Sequence, residues 1–211
     1  MTIHTIFFDL DNTLYPRDSG IWEAIGNRIN LFMTDIMQIP EQNVHPLRTH
    51  FRNEFGTTLA GLQSISDVNE NEFLEFVHDI NLNEMLEDDG SLYQMLEQIP
   101  QRKIIFTNSD KTHAKRVLNF FGIKDLFELI VDVIAMKPYF KPHPEAYKLA
   151  LEMAGLENSQ GCMFIDDLLE NVQQAKQSGF ISAYIGDNSD GMICMPDIFA
   201  LPNILEKQFL K

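Results

Sequence analysis

This chain of 211 residues has little cysteine and few basic residues: two Cys, and 16 Lys and Arg against 31 Asp and Glu. Cys162 and Cys194 form no C-x-x-C pair and are too few for a disulfide framework. Cys162 lies in an apolar run and is expected to be a buried, inert thiol. A formal charge of −15 argues against a nucleic-acid polymer or an anionic membrane as the main partner, because both need a basic face. A small anionic substrate stays possible if the site supplies its own metal and lysine. No apolar run approaches the ~20 residues of a membrane span, and Asp9 interrupts the early one. A basic stretch followed by an unbroken apolar core and a small-residue cleavage site is also missing, so a reducing cytoplasm is the expected compartment. Internal repeats and low-complexity tracts are absent.

What is present is enough for a core. The hydrophobic fraction is 45%, and the length suits one large domain or a domain with a small insertion. The sharpest feature is Asp9-Leu10-Asp11-Asn12-Thr13, directly after the apolar run Ile6-Phe7-Phe8. Side chains alternate along an extended segment, so Asp9 and Asp11 are expected to point the same way. Two like charges aimed into one space repel each other and resist desolvation, and a divalent cation relieves both problems. The bland alternative is an acidic turn after a strand.

Periodicity organises the rest. A first strand is expected at residues 5–9. Between residues 16 and 87 the pattern is helical, with helices expected at 21–37, 46–55 and 70–78. Trp22, Phe32, Phe51, Phe55, Phe73 and Phe76 are expected to form that segment's own core. After Asp88-Asp89-Gly90, Ser91 is expected to cap a helix running to Gln98. Strands are expected at 103–107, 129–134, 162–166 and 181–185, and helices at 111–121, 144–154 and 168–178. Gly122, Gly155 and Gly179 serve as stops. Residues 187–191 read as a loop, and 202–211 as a short terminal helix or tail. Strand and helix in alternation predict an α/β fold, a doubly wound parallel sheet covered on both faces. The core would take residues 1–15 and 88–211, with a small helical cap at 16–87. Ligands in such sheets bind at the carboxyl ends of the strands, where Asp9, Thr107 and Asp166 are expected to meet.

Three further segments belong with Asp9 and Asp11. Ile104-Ile105-Phe106-Thr107-Asn108-Ser109 is an apolar strand ending in hydroxyl and amide groups. Lys141-Pro142-His143-Pro144-Glu145-Ala146-Tyr147 places a cation before a helix. Met163-Phe164-Ile165-Asp166-Asp167 is an apolar strand ending in an acid pair, with Asn171 shortly after. In this order the segments resemble motifs I to IV of the haloacid dehalogenase-like superfamily of phosphotransferases, with an insertion after motif I. The resemblance covers the whole chain.

That resemblance implies a Mg2+-dependent phosphomonoester hydrolase working through an aspartyl-phosphate. Asp9 would be the nucleophile, and Asp11 the general acid and then the general base. The Asp9 carboxylate, the Asp11 main-chain carbonyl and the Asp166 carboxylate would bind Mg2+, with Asp167 binding directly or through water. Thr107 would donate its hydroxyl to the phosphoryl group, and Asn108 its backbone N–H. Lys137 and Lys141 both precede proline, but only Lys141 heads the family-like pattern. Asn171 would orient Lys141 or Asp166. His113 is expected to be exposed or capping. Dehalogenases of the superfamily lack the second Asp, so the intact Asp9-x-Asp11 favours a phosphohydrolase or phosphomutase.

The Asp-Leu-Asp-Asn-Thr-Leu-Tyr opening, the 55–62 segment and the stretch from Phe106 to His113 look like the pyrimidine 5′-nucleotidase branch. That likeness implies UMP and CMP as substrates, with Tyr15, Arg17, Gly56, Thr57 and Thr58 as contacts on the cap side. The other readings are a phosphatase or mutase for another small phosphorylated metabolite, such as a sugar phosphate, and a non-catalytic Mg2+/phosphate-binding regulator. For Gly56-Thr57-Thr58 the bland alternative is a loop and helix start.

Overall fold

The computed structural model describes residues 2–187 and 191–209. Asn188, Ser189 and Asp190, expected in a loop, and Leu210 and Lys211, expected in the tail, lie outside the described residues. Two compact units result, one from Met1–Arg17 with Leu86–Lys211 and the other from Asp18–Met85. The strands are β1 (Thr5–Phe8), β2 (Arg102–Phe106), β3 (Leu129–Val131), β4 (Cys162–Asp166), β5 (Ile181–Ile185) and β6 (Ile193–Met195). The helices are α1 (Ile21–Leu31), α2 (Glu41–Phe55), α3 (Thr58–Ile65), α4 (Glu70–His78), α5 (Ser91–Glu97), α6 (Lys111–Phe120), α7 (Pro144–Met153), α8 (Leu169–Gln177) and α9 (Leu201–Phe209). Among the described residues no helix is long and apolar enough to cross a membrane.

The first unit is the α/β fold that the alternation predicts. All six strands pair in parallel, in the order β3-β2-β1-β4-β5-β6. Every residue of β1 and β4 is buried, as expected of strands covered on both faces. Phe8 sits in register with Ile105 on β2 and Ile165 on β4. Asp9 and Asp166 follow directly and Thr107 one residue later, so all three arrive at one edge. The ladder continues one step, with Asp9 N–H donating to Ile165 at 2.8 Å and Thr107 N–H to Val131 at 3.0 Å. Under the sheet, Phe7, Phe106, Tyr147, Phe164 and Phe180 pack edge to face.

Three local expectations change. Ser91 is the first helical residue of α5, not its cap. Gly90 occupies that position with φ 76°, and the Asp89 side chain accepts from Ser91 N–H at 2.9 Å. β3 ends at Val131 instead of 134. Asp132 accepts main-chain N–H groups from Lys111 and Ala135, which turns the chain out of the ladder. β6 was not expected, because three residues are too few to show a period.

The second unit is helical, and its core is Phe32, Met33, Val44, Phe51, Leu62, Phe73 and Val77. α1 runs into a single π-helical turn, Phe32–Ile36. Trp22 and Phe55 are exposed and not part of this core. By helical spacing Trp22 shares a side of α1 with Ile25 and Ile29, so periodicity does not account for its exposure. α2 starts at Glu41, so Pro46 is inside the helix instead of at its first turn. α3 is an element the periodicity did not reveal.

Candidate active site

β1 stops at Phe8, and the chain turns over Leu10, which accepts from Thr13 and Leu14 N–H. Asn12 takes a left-handed φ of 59°. Asp9 and Asp11 thus do not continue an extended strand as expected. Both remain buried at the sheet edge, but they face different partners.

Asp9 faces a cation. Lys141 Nζ donates to Asp9 Oδ1 at 2.7 Å and to Asp166 Oδ2 at 2.6 Å, and Lys141 is 3% exposed. It also lies 5.2 Å from the Phe106 ring centroid and 5.3 Å from that of Phe164. Burial opposes the charged lysine, but Asp166 and Asp9 outweigh it and raise its pKa above the usual value. Burial pushes Asp9 well above the usual carboxylate range, helped by repulsion from Asp166 and Asp11 and opposed by Lys141. Lys137, the other candidate, is exposed.

Side chains around this pair fix its geometry. Asn108 uses its side chain to clasp the Lys141 main chain, donating to Lys141 O at 2.8 Å and accepting from Lys141 N–H at 2.9 Å. Asn171 donates from Nδ2 to both Asp166 oxygens, at 3.1 and 3.0 Å, so of its two expected partners it orients Asp166. Tyr147 OH in turn donates to Asn171 O at 2.8 Å. Thr107 follows β2 directly and accepts from Ser109 N–H through its hydroxyl at 3.0 Å. His143 caps α7 by accepting from Glu145 N–H, with Pro144 in the first turn.

Asp9, Asp166 and Asp167 each offer one oxygen within 4.8 Å of the others, all buried. Burial and the neighbouring Asp166 raise the pKa of Asp167, opposed by Arg17, whose Nη2 lies 2.9 Å from Asp167 Oδ2. Asn12 Nδ2 also donates to Asp167, at 3.3 Å. The buried Oδ1 atoms of Asn12 and Asn171 have no hydrogen-bond partner. Crowded hard oxygens, with orphaned amide oxygens beside them, fit a divalent cation of the Mg2+ type. Among the described residues no other cluster of this kind occurs.

Asp11 faces a different set of groups. Ser109 Oγ donates to its Oδ2. Tyr15 OH donates to its Oδ1 at 2.5 Å, and His113 Nε2 lies 2.8 Å from the same oxygen. Burial pushes Asp11 up, but the charge of His113 and hydrogen bonds from His113, Ser109 and Tyr15 outweigh it and hold the carboxyl well below its usual range. With its side chain so engaged, Asp11 has its main-chain carbonyl to offer an ion. The expectation that His113 is exposed or capping is wrong: it is fully buried, and Asp110 is the residue that caps α6. Its position was readable, since His113 shares a helix face with the buried Val117. Nothing in the sequence singled out Ser109.

The residues expected on the cap side are placed as follows. Tyr15 is buried with its hydroxyl on Asp11, and burial and Asp11 raise its pKa well above the usual value. The Arg17 side chain is 68% exposed while holding Asp167. Gly56 takes φ 76° between α2 and α3, and its N–H donates to Arg52 O. Thr57 caps α3 by accepting from Ala60 N–H at 3.0 Å, and Thr58 is buried in its first turn.

Residues 3–179 match the family of haloacid dehalogenase-like hydrolases. Phosphate metabolism protein 8 of Saccharomyces cerevisiae is 29% identical over 189 residues, which is 82% of this chain and 58% of that protein. Pyrophosphatase PpaX of Bacillus cereus is 24% identical over 175 residues, 79% of this chain and 76% of that protein. A HAD phosphatase from Thermococcus onnurineus superposes with a TM-score of 0.67 at 16% identity, covering 96% of this chain and 98% of the other.

Proposed function

We propose a phosphoryl-transfer reaction for this chain on the premise that it belongs to the haloacid dehalogenase-like hydrolase family, matched over residues 3–179. The pyrophosphatase relative supports a phosphatase. The observation that carries the reading is Lys141 held between Asp9 and Asp166, with Asp11 engaged separately beside them. The substrate class is a small phosphorylated metabolite.

In the first half-reaction the Asp9 carboxylate attacks the phosphorus of a phosphate monoester. The bond from phosphorus to the ester oxygen breaks, and Asp11 delivers a proton to that oxygen as the alcohol leaves. Water then attacks the phosphorus of the aspartyl-phosphate, Asp11 takes the water's proton, and Asp9 is freed with inorganic phosphate. Lys141, the Thr107 hydroxyl and the Asn108 N–H bind phosphoryl oxygens and offset their charge. Asp11 rests as the anion, which is its base form. A phosphate dianion bound beside it raises its proton affinity, and Asp11 takes up from solvent the proton that it then delivers. Asp9, Asp166 and the Asp11 carbonyl are the residues that would hold Mg2+, with Asp167 direct or through water. The ion would neutralise phosphate charge and fix its oxygens.

For the leaving group we propose a pyrimidine nucleoside, so that UMP and CMP are the preferred substrates. The support is the sequence likeness of the 9–15, 55–62 and 106–113 stretches to the pyrimidine 5′-nucleotidase branch. Gly56, Thr57 and Thr58 stay proposed contacts, and so do Tyr15 and Arg17. The second reading, favoured by the PpaX relative, is inorganic pyrophosphate. Release of phosphate from UMP, CMP, AMP, GMP, hexose phosphates and pyrophosphate, each with Mg2+ and with EDTA, tests both. Higher kcat/KM on UMP and CMP supports the first reading. Equal rates on purine and pyrimidine monophosphates, or preference for pyrophosphate or a sugar phosphate, defeats the substrate assignment alone. No activity on any of them defeats the phosphatase.

A further inference from the structure

Three side chains from separate segments converge on the Asp11 carboxylate. Tyr15 comes from the turn after β1, Ser109 from the loop after β2, and His113 from the first turn of α6. Asp11 and His113 are 102 positions apart in sequence, so the meeting is a product of the fold. All three are buried, and His113 is completely so.

The loop that brings Ser109 and His113 in is itself tied down. Asp110 accepts from Thr112 N–H at 2.7 Å and His113 N–H at 3.2 Å, which starts α6 at that point. Asp132 accepts from Lys111 N–H at 2.9 Å. Ser109 N–H donates to the Thr107 hydroxyl at 3.0 Å. Loss of one tie therefore leaves the others holding the loop. A carboxylate with donors on both oxygens has little freedom to rotate, and a proton-transfer group works only if it stays within reach of the reacting oxygen.

We propose that Ser109, His113 and Tyr15 are positioning residues that aim the Asp11 carboxylate at the ester oxygen of the substrate. This rests on the reading of the site as a phosphomonoester hydrolase in which Asp11 handles the leaving-group proton. They act through Asp11 and do not meet the phosphate. Their loss matters in proportion to how much the leaving group needs a proton. An alkoxide needs one to depart. A p-nitrophenolate does not.

The test uses the full-length protein with Mg2+ and compares p-nitrophenyl phosphate with a simple alkyl phosphate. Ser109→Ala and Tyr15→Phe each delete one hydroxyl, and His113→Gln keeps a donor of similar size. The readout is kcat/KM, which reports the steps up to alcohol release and is insensitive to later hydrolysis of the aspartyl-phosphate. Acid–base assistance is worth about 10²–10⁴-fold, so misaiming Asp11 should lower kcat/KM on the alkyl ester about tenfold more than on the nitrophenyl ester. A merely structural role lowers both equally, and that result overturns the proposal. Circular dichroism identifies any variant that fails to fold, and the two hydroxyl deletions then decide. Wild-type protein inactive on both esters overturns the phosphatase reading itself.

Discussion

Lys141 is the cation on which the buried carboxylates depend. Lys141→Ala leaves Asp9 and Asp166 facing each other without their cation, and breaking a buried pair in this way costs about 3–5 kcal/mol. Lys137→Ala, at an exposed position, should stay within about 0.5 kcal/mol. Urea unfolding and phosphatase turnover of the two variants should rank the same way; the reverse ranking would mean that the wrong lysine heads the site. Asp9→Asn keeps the shape but removes the attacking anion, and turnover should fall by several orders of magnitude with the fold intact. Retention of more than about a tenth of wild-type turnover, a difference of only ~1.4 kcal/mol, removes Asp9 from the nucleophile's role. These residues were conspicuous in the sequence because carboxylates at the end of an apolar run are anomalous. Ser109 and His113 were not, since a serine after a strand and a histidine early in a helix are ordinary. Only closure of the β2–α6 loop onto Asp11 gives them meaning.

At the scale of elements, the α2–α3 junction is the most constrained part of the helical unit. A Cβ on Gly61 would lie 2.1 Å from Phe51 Cγ, in the middle of the side chain and not at a flexible end. Gly61→Ala should therefore destabilise the protein by about 1–3 kcal/mol or more, read as a lower urea midpoint. An unchanged midpoint would mean that the two helices can part without loss. Thr57 raises a separate issue. Its hydroxyl caps α3, so Thr57→Ala should cost about 1 kcal/mol while Thr57→Ser keeps the cap. Any change in nucleotide preference with Thr57→Ala must exceed that seen with Thr57→Ser before it counts as recognition. This junction was hard to read in sequence. Pro46 reads as a helix start, yet packing of Val44 and Leu47 into the core holds α2 through it. α3 is short and carries a glycine, which hides its period.

At the scale of the whole molecule, the crowded carboxylates of Asp9, Asp166 and Asp167 predict that a divalent ion stabilises the fold. Mg2+ should raise the melting temperature without any substrate, and at a hundredfold excess over Kd the gain is about 2.7 kcal/mol. Asp166→Asn should abolish that gain, and Mn2+ should reproduce it. No thermal shift up to millimolar Mg2+ would argue against the ion site independently of any activity assay. The parallel sheet was legible because strands and helices alternate with clear stops, and its central strands are mostly apolar. The helical unit was legible as helical but not in its packing, since which face of α1 turns inward depends on neighbours that the sequence does not order.

The central position of β1 also has a consequence during synthesis. Thr5 pairs with Arg102 on one side and with Cys162 on the other. At about 5–20 residues per second, a ribosome needs on the order of ten seconds after making β1 to deliver β4. Through that interval Ile6-Phe7-Phe8 leaves the tunnel as a sticky segment with no neighbour on at least one edge, and Asp9, the proposed nucleophile, has neither Lys141 nor Asp166 to meet. The nascent chain is therefore most vulnerable to aggregation, and most in need of a chaperone, over the long stretch before its acid pair is made.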